Sequence, residues 1–511
     1  MFSNTFFITN GVLCKNYATI YVAFFYVWIY NIDITIIMGD FMKKTKIVCT
    51  LGPSSDTKET ISAMFDAGMN VCRLNFSHGT HEEQLKKINI VKELREERHI
   101  PLPIMLDTKG PEFRTGRYKN GRITLKKGDK FTFTTDDIIG DETRVSVSYK
   151  LITGSMKKGD KILLNNGLMT FVVDGVVGND VNCTVLVGGE TSDHRSMFFP
   201  GKHLKLDFLS EQDKKDLLFG IECGVDFIAL SFVSCKEDIE CAREFLKANG
   251  GEDIDLIAKI ENSAGVENLE SILKASDGVM VARGDLGVEI PYEELPNIQK
   301  HMIDMSRILG KRCITATEML ESMTHNKRPT RAEISDVANA VYDGTSAVML
   351  SGETAAGEYV VEAVQAMAKI VEQAEHNRDY IQVIPEDRFV ISSVGEALSH
   401  SACTLAHDLG AKAIIVCTHT GMTARMVSRF RPEEPIIGMT SDKKAFRKLA
   451  LSWGVIPVMS EEYSSLDILF YFAKECAIKS GIAKKGDKVV ITGGTPIGKG
   501  GNSSLINIQV L

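Results

Sequence analysis

The sequence contains no long run of basic residues and no Cys-x-x-Cys pair. Acidic residues number 67 and basic residues 59, so the formal net charge is −8. This balance does not favour nucleic acid as a partner. The 11 cysteines are scattered, and several lie in apolar runs, for example Cys49, Cys72, Cys313 and Cys417. Scattered, unpaired thiols are typical of a protein kept in the reducing cytosol, so a cytoplasmic location is expected.

The first 41 residues differ in character from the rest of the chain. Residues 18–38 are long and apolar enough to suggest a membrane span. However, Asn31 and Asp33 interrupt the run, no basic segment precedes it, and no small-residue cleavage site follows it. From Met42 the sequence reads MKKTKIVCTLGP, which is typical of the N-terminus of an ordinary cytosolic protein. We interpret residues 1–41 as an extension from a mis-assigned start codon, and expect no membrane association.

Strands and helices alternate regularly from Thr45 onward. With 511 residues, 44% hydrophobic and 25% charged, the chain is expected to form several globular domains. Eight apolar runs are each followed by a helical segment, which is the count of a TIM (β/α)8 barrel. The predicted barrel covers residues 42–111 and 201–382. Its predicted strands are TKIVCT, NVCRLN, PIMLD, DFIALSF, DLIAKI, GVMVA, RCITA and TSAVML.

Two further domains are predicted outside the barrel. Residues 112–200 combine Gly-rich turns with alternating runs such as KFTFTT and DVNCTVLV, and contain no convincing helix. They predict an all-β insert, a small β-barrel placed as a lid after the third barrel strand. Residues 390–511 contain the strands AIIVCT, PIIGMT, VIPVM and DKVVITGG and predict a C-terminal α/β domain.

The stretch VMVARGDLGVEI contains an Arg-Gly-Asp tripeptide at residues 283–285. It could be an exposed adhesion loop, but the apolar run VMV before it predicts a buried strand. Catalytic groups of parallel α/β folds stand where such strands end. A chemical role for Asp285 is therefore favoured, and Gly284 would let the backbone approach a ligand closely.

Charged residues at other predicted strand ends fit the same site. Lys259 and Glu261 are two residues apart on a strand, so their side chains project the same way. Glu261 and Asp285 end neighbouring strands and suit a hard cation such as Mg²⁺. With Lys259 and Arg73 nearby, the site suits a phosphorylated anion. The alternative is an interior network of salt bridges, but polar groups at seven of the eight strand ends favour function.

Two other groups of polar residues are weaker candidates. Asn75, Ser77, Asp107 and Thr108 offer oxygen ligands to a weakly charged cation, although Ser77 and Asp107 could simply cap or turn the chain. The second group lies in the C-terminal domain, where a loop between a strand and a helix suits a phosphate, and a Gly-rich loop follows at 493–504. Ordinary capping and a flexible turn are the alternatives there. The candidate phosphate-binding residues of the loop between strand and helix are Thr418, Thr420, Gly421 and Thr423.

Long motifs in the chain resemble the pyruvate kinase family from Met42 to Leu511. They are TKIVCTLGPSS, VCRLNFSHG, MLDTKGPEFRTG, IAKIEN, VMVARGDLGVE, TATEMLESM and MLSGETAAG. The resemblance implies transfer of the phosphoryl group of phosphoenolpyruvate to ADP, giving ATP and pyruvate. The nearest rival is another barrel acting on phosphoenolpyruvate or pyruvate, such as an aldolase, but the lid and the C-terminal domain argue against it. A non-catalytic membrane or adhesion protein is the rival from a different class.

The resemblance also implies roles for individual residues. Glu261 and Asp285 would hold Mg²⁺ (or Mn²⁺), and Lys259 and Arg73 would act on the phosphoryl group. Gly284, Asp285 and Thr317 would hold the substrate, with Thr317 on the route of a proton to the enolate. The nucleotide would contact Asn75, Phe76, Ser77, His78 and Arg114.

Further implications concern ions, regulation and assembly. The residues Asn75, Ser77, Asp107 and Thr108 match the family's K⁺ site, and Glu112 predicts K⁺ dependence. The loops at 418–423 and 493–504 match the site of a sugar-phosphate effector, and many family members are homotetramers. The chain departs from the family pattern at Arg195, which takes the place of a lysine that contacts nucleotide in relatives, and at Glu318 and Met422.

Overall fold

The computed structural model describes residues 43–111, 113–165, 167–202, 208–377, 384–463, 465–494 and 503–511. The predicted extension 1–41, Glu112 and residues 495–502 of the second Gly-rich loop therefore lie outside the described residues. Among the helices that are described, none is long and apolar enough to span a membrane.

Eight parallel strands close into a barrel, as the sequence predicted. Their residues are almost all buried, because helices cover the outside and side chains fill the inside. The sheet order around the barrel follows the chain order. The strands are β1 (Lys46–Leu51), β2 (Val71–Asn75), β3 (Ile104–Asp107), β12 (Phe227–Leu230), β13 (Asp255–Ile260), β14 (Gly278–Ala282), β15 (Arg312–Ala316) and β16 (Ala347–Leu350).

Helices follow the barrel strands, and the longer ones bury apolar residues in the core around the barrel. Several begin at a residue whose hydroxyl accepts a backbone N–H, as Thr80, Ser210 and Thr330 do. The helices of this domain are α1 (Lys58–Asp66), α2 (His81–Arg98), α4 (Glu211–Glu222), α5 (Lys236–Ala248), α6 (Ser263–Glu267), α7 (Leu269–Ala275), α8 (Arg283–Glu289), α9 (Leu295–Ile308), α10 (Arg331–Tyr342), α11 (Gly352–Ala355) and α12 (Val360–His376).

The insert after β3 is formed by strands, as predicted, around its own core of residues such as Phe131, Phe133 and Phe171. One sheet has six strands and the other has two. A short helix, α3 (Ile152–Ser155), lies in this domain, although the sequence predicted none. The strands are β4 (Arg122–Leu125), β5 (Lys130–Thr134), β6 (Arg144–Ser146), β7 (Lys161–Leu164), β8 (Met169–Val177), β9 (Asp180–Val187), β10 (Gly189–Ser192) and β11 (Met197–Phe198).

The C-terminal domain has a five-stranded sheet with the order β19-β18-β17-β20-β21. Four strands match the predicted ones, and the fifth, β21, runs antiparallel to β20 at the edge of the sheet. The elements are α13 (Val394–Leu409), β17 (Ile414–Cys417), α14 (Met422–Ser428), β18 (Ile436–Thr440), α15 (Lys443–Leu449), β19 (Val455–Met459), α16 (Leu466–Lys479), β20 (Lys488–Gly494) and β21 (Ser503–Val510).

Candidate active site

A layer of polar side chains closes the carboxyl end of the barrel interior. Val71, Met105 and Ile257 belong to the apolar cluster inside the barrel. Because side chains alternate between the faces of a strand, residues two positions later point into the same interior. This rule brings the following residues together: Thr50, Arg73, Asp107, Ser231 and Lys259.

Asp107 joins the two cations of this layer. Its carboxylate accepts from Arg73 Nε at 2.7 Å and from Lys259 Nζ at 3.0 Å. Arg73 also donates to the hydroxyl of Thr50 at 2.8 Å. Burial alone would raise the pKa of the Asp107 carboxyl, but the charges of Arg73 and Lys259 lower it below its usual range. Asp107 therefore stays ionised and holds both cations at the mouth of the barrel.

Lys259 is buried with three oxygen partners. Its ammonium donates to Ser231 Oγ at 2.6 Å and lies 2.9 Å from Glu261 Oε1. Burial opposes the charge of Lys259, but the carboxylates of Asp107 and Glu261 raise its pKa above the ordinary value. Lys259 is thus a fixed positive charge and not a base at neutral pH.

Glu261 and Asp285, which the sequence predicts as a carboxylate pair, interact electrostatically. Glu261 is 1% exposed and accepts from the backbone N–H of Phe232 at 2.6 Å. Its pKa is raised, chiefly by burial and also by the nearby charge of Asp285, although Lys259 opposes the rise. Glu261 is buried and Asp285 is half-buried, and two carboxylates that repel each other form a donor set that a divalent cation would stabilise.

The number of carboxylates also fits Mg²⁺. In the described part of the chain, no group of three or more His, Cys, Asp or Glu side chains is placed to hold a metal ion. Mg²⁺ is commonly bound by one or two carboxylates, with water and substrate oxygens as the remaining ligands. Glu261 and Asp285 fit that pattern.

The Arg-Gly-Asp tripeptide does not form an exposed loop. β14 is buried throughout, and α8 begins at Arg283 directly after it. The side chain of Arg283 is only 10% exposed. The backbone N–H of Gly284 donates to Thr317 Oγ1 at 2.7 Å, so the tripeptide and Thr317 lie side by side. The adhesion interpretation is therefore wrong.

The four residues predicted to bind a weakly charged cation lie at the ends of β2 and β3. Asn75 and Asp107 are direct partners in the sheet. Asn75 Oδ1 already accepts from the backbone N–H of Ser77 at 3.0 Å, and Thr108 Oγ1 accepts from Ser231 N at 3.1 Å. Asn75 therefore also serves a turn, and Thr108 also serves a neighbouring strand.

The residues predicted to contact nucleotide occupy two places. Phe76 is 8% exposed and its ring packs against His81 and Phe219, so its side chain belongs to the core. His78 is exposed in the same segment. In the lid, Arg114 Nη1 donates to the carbonyl of His194 at 2.9 Å, and Arg195 Nε donates to Ser192 Oγ at 2.8 Å.

The predicted effector loop stands between β17 and α14. The hydroxyl of Thr418 accepts from the backbone N–H of Gly421 at 3.0 Å, and Gly421 has a φ of 82°. Thr420 is exposed and Thr423 is half-buried at the start of the helix. Cys417 pairs with Gly493, so the two predicted effector loops leave adjacent strand ends.

Three polar residues that follow barrel strands were given no role from the sequence. Ser231 contacts Lys259, and it was hidden in an apolar strand motif. Glu289, at the end of α8, is half-buried, and its partial burial raises its pKa to about 7. Glu353 is fully buried and accepts from the backbone N–H groups of Leu320 and Ser351. Only its place at a strand end could have indicated Glu353.

Comparison with known proteins agrees with this fold. The family model for the pyruvate kinase barrel domain matches residues 42–364, and the model for the pyruvate kinase alpha/beta domain matches residues 396–509. The chain is 44% identical over 472 residues to pyruvate kinases of Clostridium acetobutylicum and Clostridium perfringens, covering 92% of this chain and all of each relative. It is 45% identical over 476 residues to that of Geobacillus stearothermophilus, covering 92% of this chain and 80% of the relative. The chain belongs to the pyruvate kinase family.

Proposed function

We propose that this enzyme transfers the phosphoryl group of phosphoenolpyruvate to ADP with the polar layer at the barrel mouth as its catalytic centre. The observation that supports this assignment best is the buried network in which Asp107 holds Arg73 and Lys259 in fixed positions. Two fixed cations beside two carboxylates suit a phosphorylated, carboxylate-bearing substrate and a divalent cation.

In the transfer step, the bond between phosphorus and the enol oxygen breaks and a bond from phosphorus to a terminal β-phosphate oxygen of ADP forms. Negative charge spreads over the moving phosphoryl group and onto the enolate oxygen left behind. Lys259 and Arg73 are placed to stabilise that charge without reorganising, because their partners already fix them. The backbone of Gly284 and Asp285 would hold the substrate.

Glu261 and Asp285 would hold Mg²⁺ or Mn²⁺, which when bound neutralises charge on the substrate's carboxylate and phosphate. The backbone N–H of Phe232 holds the Glu261 carboxylate in place, so Glu261 would offer the cation a fixed ligand beside Lys259.

The enolate must then take a proton at carbon to become pyruvate. Thr317 is the residue we assign to this route, with water as an intermediate carrier. Its hydroxyl accepts from Gly284 N and donates to the carbonyl of Ala316 at 2.6 Å, so its direction is fixed.

Finer assignments follow the family. We propose K⁺ at Asn75, Ser77, Asp107 and Thr108, with ADP held by residues 75–78 together with Arg114 and Arg195 of the lid. A phosphorylated sugar is proposed as the effector at Thr418, Thr420, Gly421 and Thr423. A cytoplasmic homotetramer is proposed as the working form.

A direct assay tests the proposal. Protein produced from Met42 is given phosphoenolpyruvate, ADP and Mg²⁺, and pyruvate is measured once with K⁺ and once with Na⁺ alone. Turnover that requires K⁺ is expected. Equal turnover in both salts would remove the K⁺ assignment and leave the enzyme assignment in place. A folded protein without turnover in either salt would overturn the catalytic assignment.

A further inference from the structure

Thr317 and Glu318 adopt an unusual backbone conformation beside the candidate active site. Their φ angles are 68° and 52°, in the left-handed region that favours glycine. Such a conformation is unfavourable for any non-glycine residue, and it is least favourable for a β-branched residue such as Thr317. It persists only where the surrounding structure holds it, and such sites cluster where function requires them.

Arg283 provides the contacts that hold this segment. β14 and β15 are neighbours, and Ala282 pairs with Ala316, so Arg283 and Thr317 are the next residues on adjacent strand ends. Arg283 Nη2 donates to the carbonyl of Thr317 at 2.6 Å and to that of Glu318 at 3.2 Å. Arg283 Nε donates to the carbonyls of Ala316 and Thr317, both at 3.2 Å.

The third nitrogen of the guanidinium, Nη1, contacts a different element. Arg283 Nη1 lies 2.7 Å from the carboxylate of Asp336 on α10. The guanidinium therefore bridges α10 and the 316–318 segment, and its contacts on both sides fix its orientation. A guanidinium presents five donors in a rigid fork, whereas an ammonium presents three donors from one point. A lysine at this position could not reach all four partners.

We propose that Arg283 is a positioning residue for proton transfer: it fixes the direction of the Thr317 hydroxyl by holding the left-handed backbone of residues 317 and 318. The inference rests on the role proposed for Thr317. It also gives one short segment two roles, because Asp285 would hold the divalent cation while Arg283 and Gly284 hold Thr317. The Arg-Gly-Asp tripeptide thus ties the metal position to the proton route.

The test separates proton transfer from phosphoryl transfer. Pyruvate in D2O with enzyme, Mg²⁺, K⁺ and ATP exchanges its methyl protons through the enolate, and NMR follows the loss of the methyl signal. ATP formation from phosphoenolpyruvate and ADP in a single turnover reports phosphoryl transfer. In Arg283→Met we expect methyl exchange to fall about 100-fold, the loss typical of a misplaced catalytic group. Single-turnover ATP formation and the KM for phosphoenolpyruvate should change far less, and Arg283→Lys should not restore exchange.

A matched control removes another buried arginine. Arg95 donates to Asp226 at 2.8 Å and to the carbonyl of Leu102, away from the strand ends of the site. Arg95→Met should lower the unfolding temperature and leave the ratio of methyl exchange to ATP formation unchanged. A purely structural role of Arg283 would give the same result as this control, and that result would overturn the inference.

Thr317→Ala distinguishes the role of Thr317 from that of Arg283. Normal methyl exchange in Thr317→Ala would overturn the role proposed for Thr317. Slow exchange in Thr317→Ala with normal exchange in Arg283→Met would overturn only the role of Arg283. The double variant should be no slower in exchange than Thr317→Ala, and a multiplied loss would contradict action through Thr317.

A second variant applies if Arg283→Met does not fold. Asp336→Asn weakens one anchor of the guanidinium and leaves all of its donors in place. A smaller but measurable loss of methyl exchange is expected at unchanged KM. Unchanged exchange in this variant would overturn the inference.

Discussion

Among the residues of the proposed catalytic site, Lys259 is the one whose replacement is expected to lower kcat most clearly. Its ammonium contacts Asp107, Glu261 and Ser231, and both carboxylates raise its pKa against the effect of burial. Replacing it by methionine removes the charge and keeps much of the volume. We expect Lys259→Met to lower kcat for pyruvate formation by about 10³-fold, because a fixed electrostatic donor at the reacting group is lost. Steady-state kinetics at saturating substrate measure this change.

Lys46 supplies a matched control for that experiment. It is also a buried lysine on a barrel strand, 2% exposed, but it begins β1 and donates to the carbonyl of Val455 at 2.8 Å, at the opposite end of the barrel. Lys46→Met should keep kcat near the wild-type value. If Lys259→Met retained full turnover, or if both variants lost it equally, the mechanism assigned to Lys259 would be wrong.

The sequence predicted which of these side chains belong to one site, but it did not predict which hydrogen bonds and ion pairs join them. Lys259, Glu261, Asp285 and Arg73 were expected at one site because each ends a predicted strand. The central role of Asp107 was missed, because its contacts join residues 34 and 152 positions apart. A strand pattern gives the end at which a side chain stands, whereas the partner of each charge depends on the register between strands.

Among the secondary-structure elements, the connection from β3 to the lid offers a sharp test. Gly110 has a φ of 70°, and a Cβ there would lie 2.7 Å from the Cβ of Ser231, the partner of Lys259. Gly110→Ala should therefore both destabilise the fold and raise KM for phosphoenolpyruvate, because Ser231 must shift. Urea unfolding and steady-state kinetics measure the two effects.

Gly178 in the lid provides a control for Gly110, because a side chain there would strain the backbone without touching another residue. Its φ is 59°, and a Cβ there would meet nothing within 4 Å. Gly178→Ala should cost roughly 1–2 kcal/mol for the left-handed conformation and leave KM unchanged. Equal effects of the two substitutions on stability and KM would show that the contact with Ser231 is unimportant.

The elements that the sequence predicted are those with a strong local pattern. The barrel strands are apolar runs buried on both faces, so composition alone reveals them. The short helix α3 has the sequence ITGS, which is too short to show a helical period. β21 was missed because it lies antiparallel at a sheet edge, where the alternation of strand and helix no longer applies.

For the molecule as a whole, charged side chains join the C-terminal domain to the barrel. Arg447 lies 2.6 Å from Asp226, and Lys448 lies 2.8 Å from Asp255 at the start of β13. Lys46 reaches Val455 from the barrel side. These contacts gather at the amino ends of the barrel strands, opposite the layer of polar side chains at the carboxyl end. They make the stability of the two domains interdependent without touching the site.

Lys46 makes this interface sensitive to pH. Burial lowers its pKa from 10.5 to about 7, and the charge of Lys43 acts in the same direction while Glu375 opposes the shift. Between these two values the unfolded chain binds more protons than the folded one, so the free energy of unfolding rises as pH rises. From pH 7 to pH 9 the contribution of this one group is about 2 kcal/mol.

The Lys46→Met variant isolates that contribution from every other group that titrates. Its free energy of unfolding should rise less between pH 7 and pH 9 than that of the wild type, by about 2 kcal/mol. Urea unfolding of both proteins at the two pH values, at constant ionic strength, gives the difference directly. Loss of the hydrogen bond to Val455 lowers the stability of the variant at both pH values alike, so it cancels in this comparison. Equal pH dependence in the two proteins would mean that the ammonium of Lys46 keeps an ordinary pKa, as it would if water reached it between the barrel and the C-terminal domain.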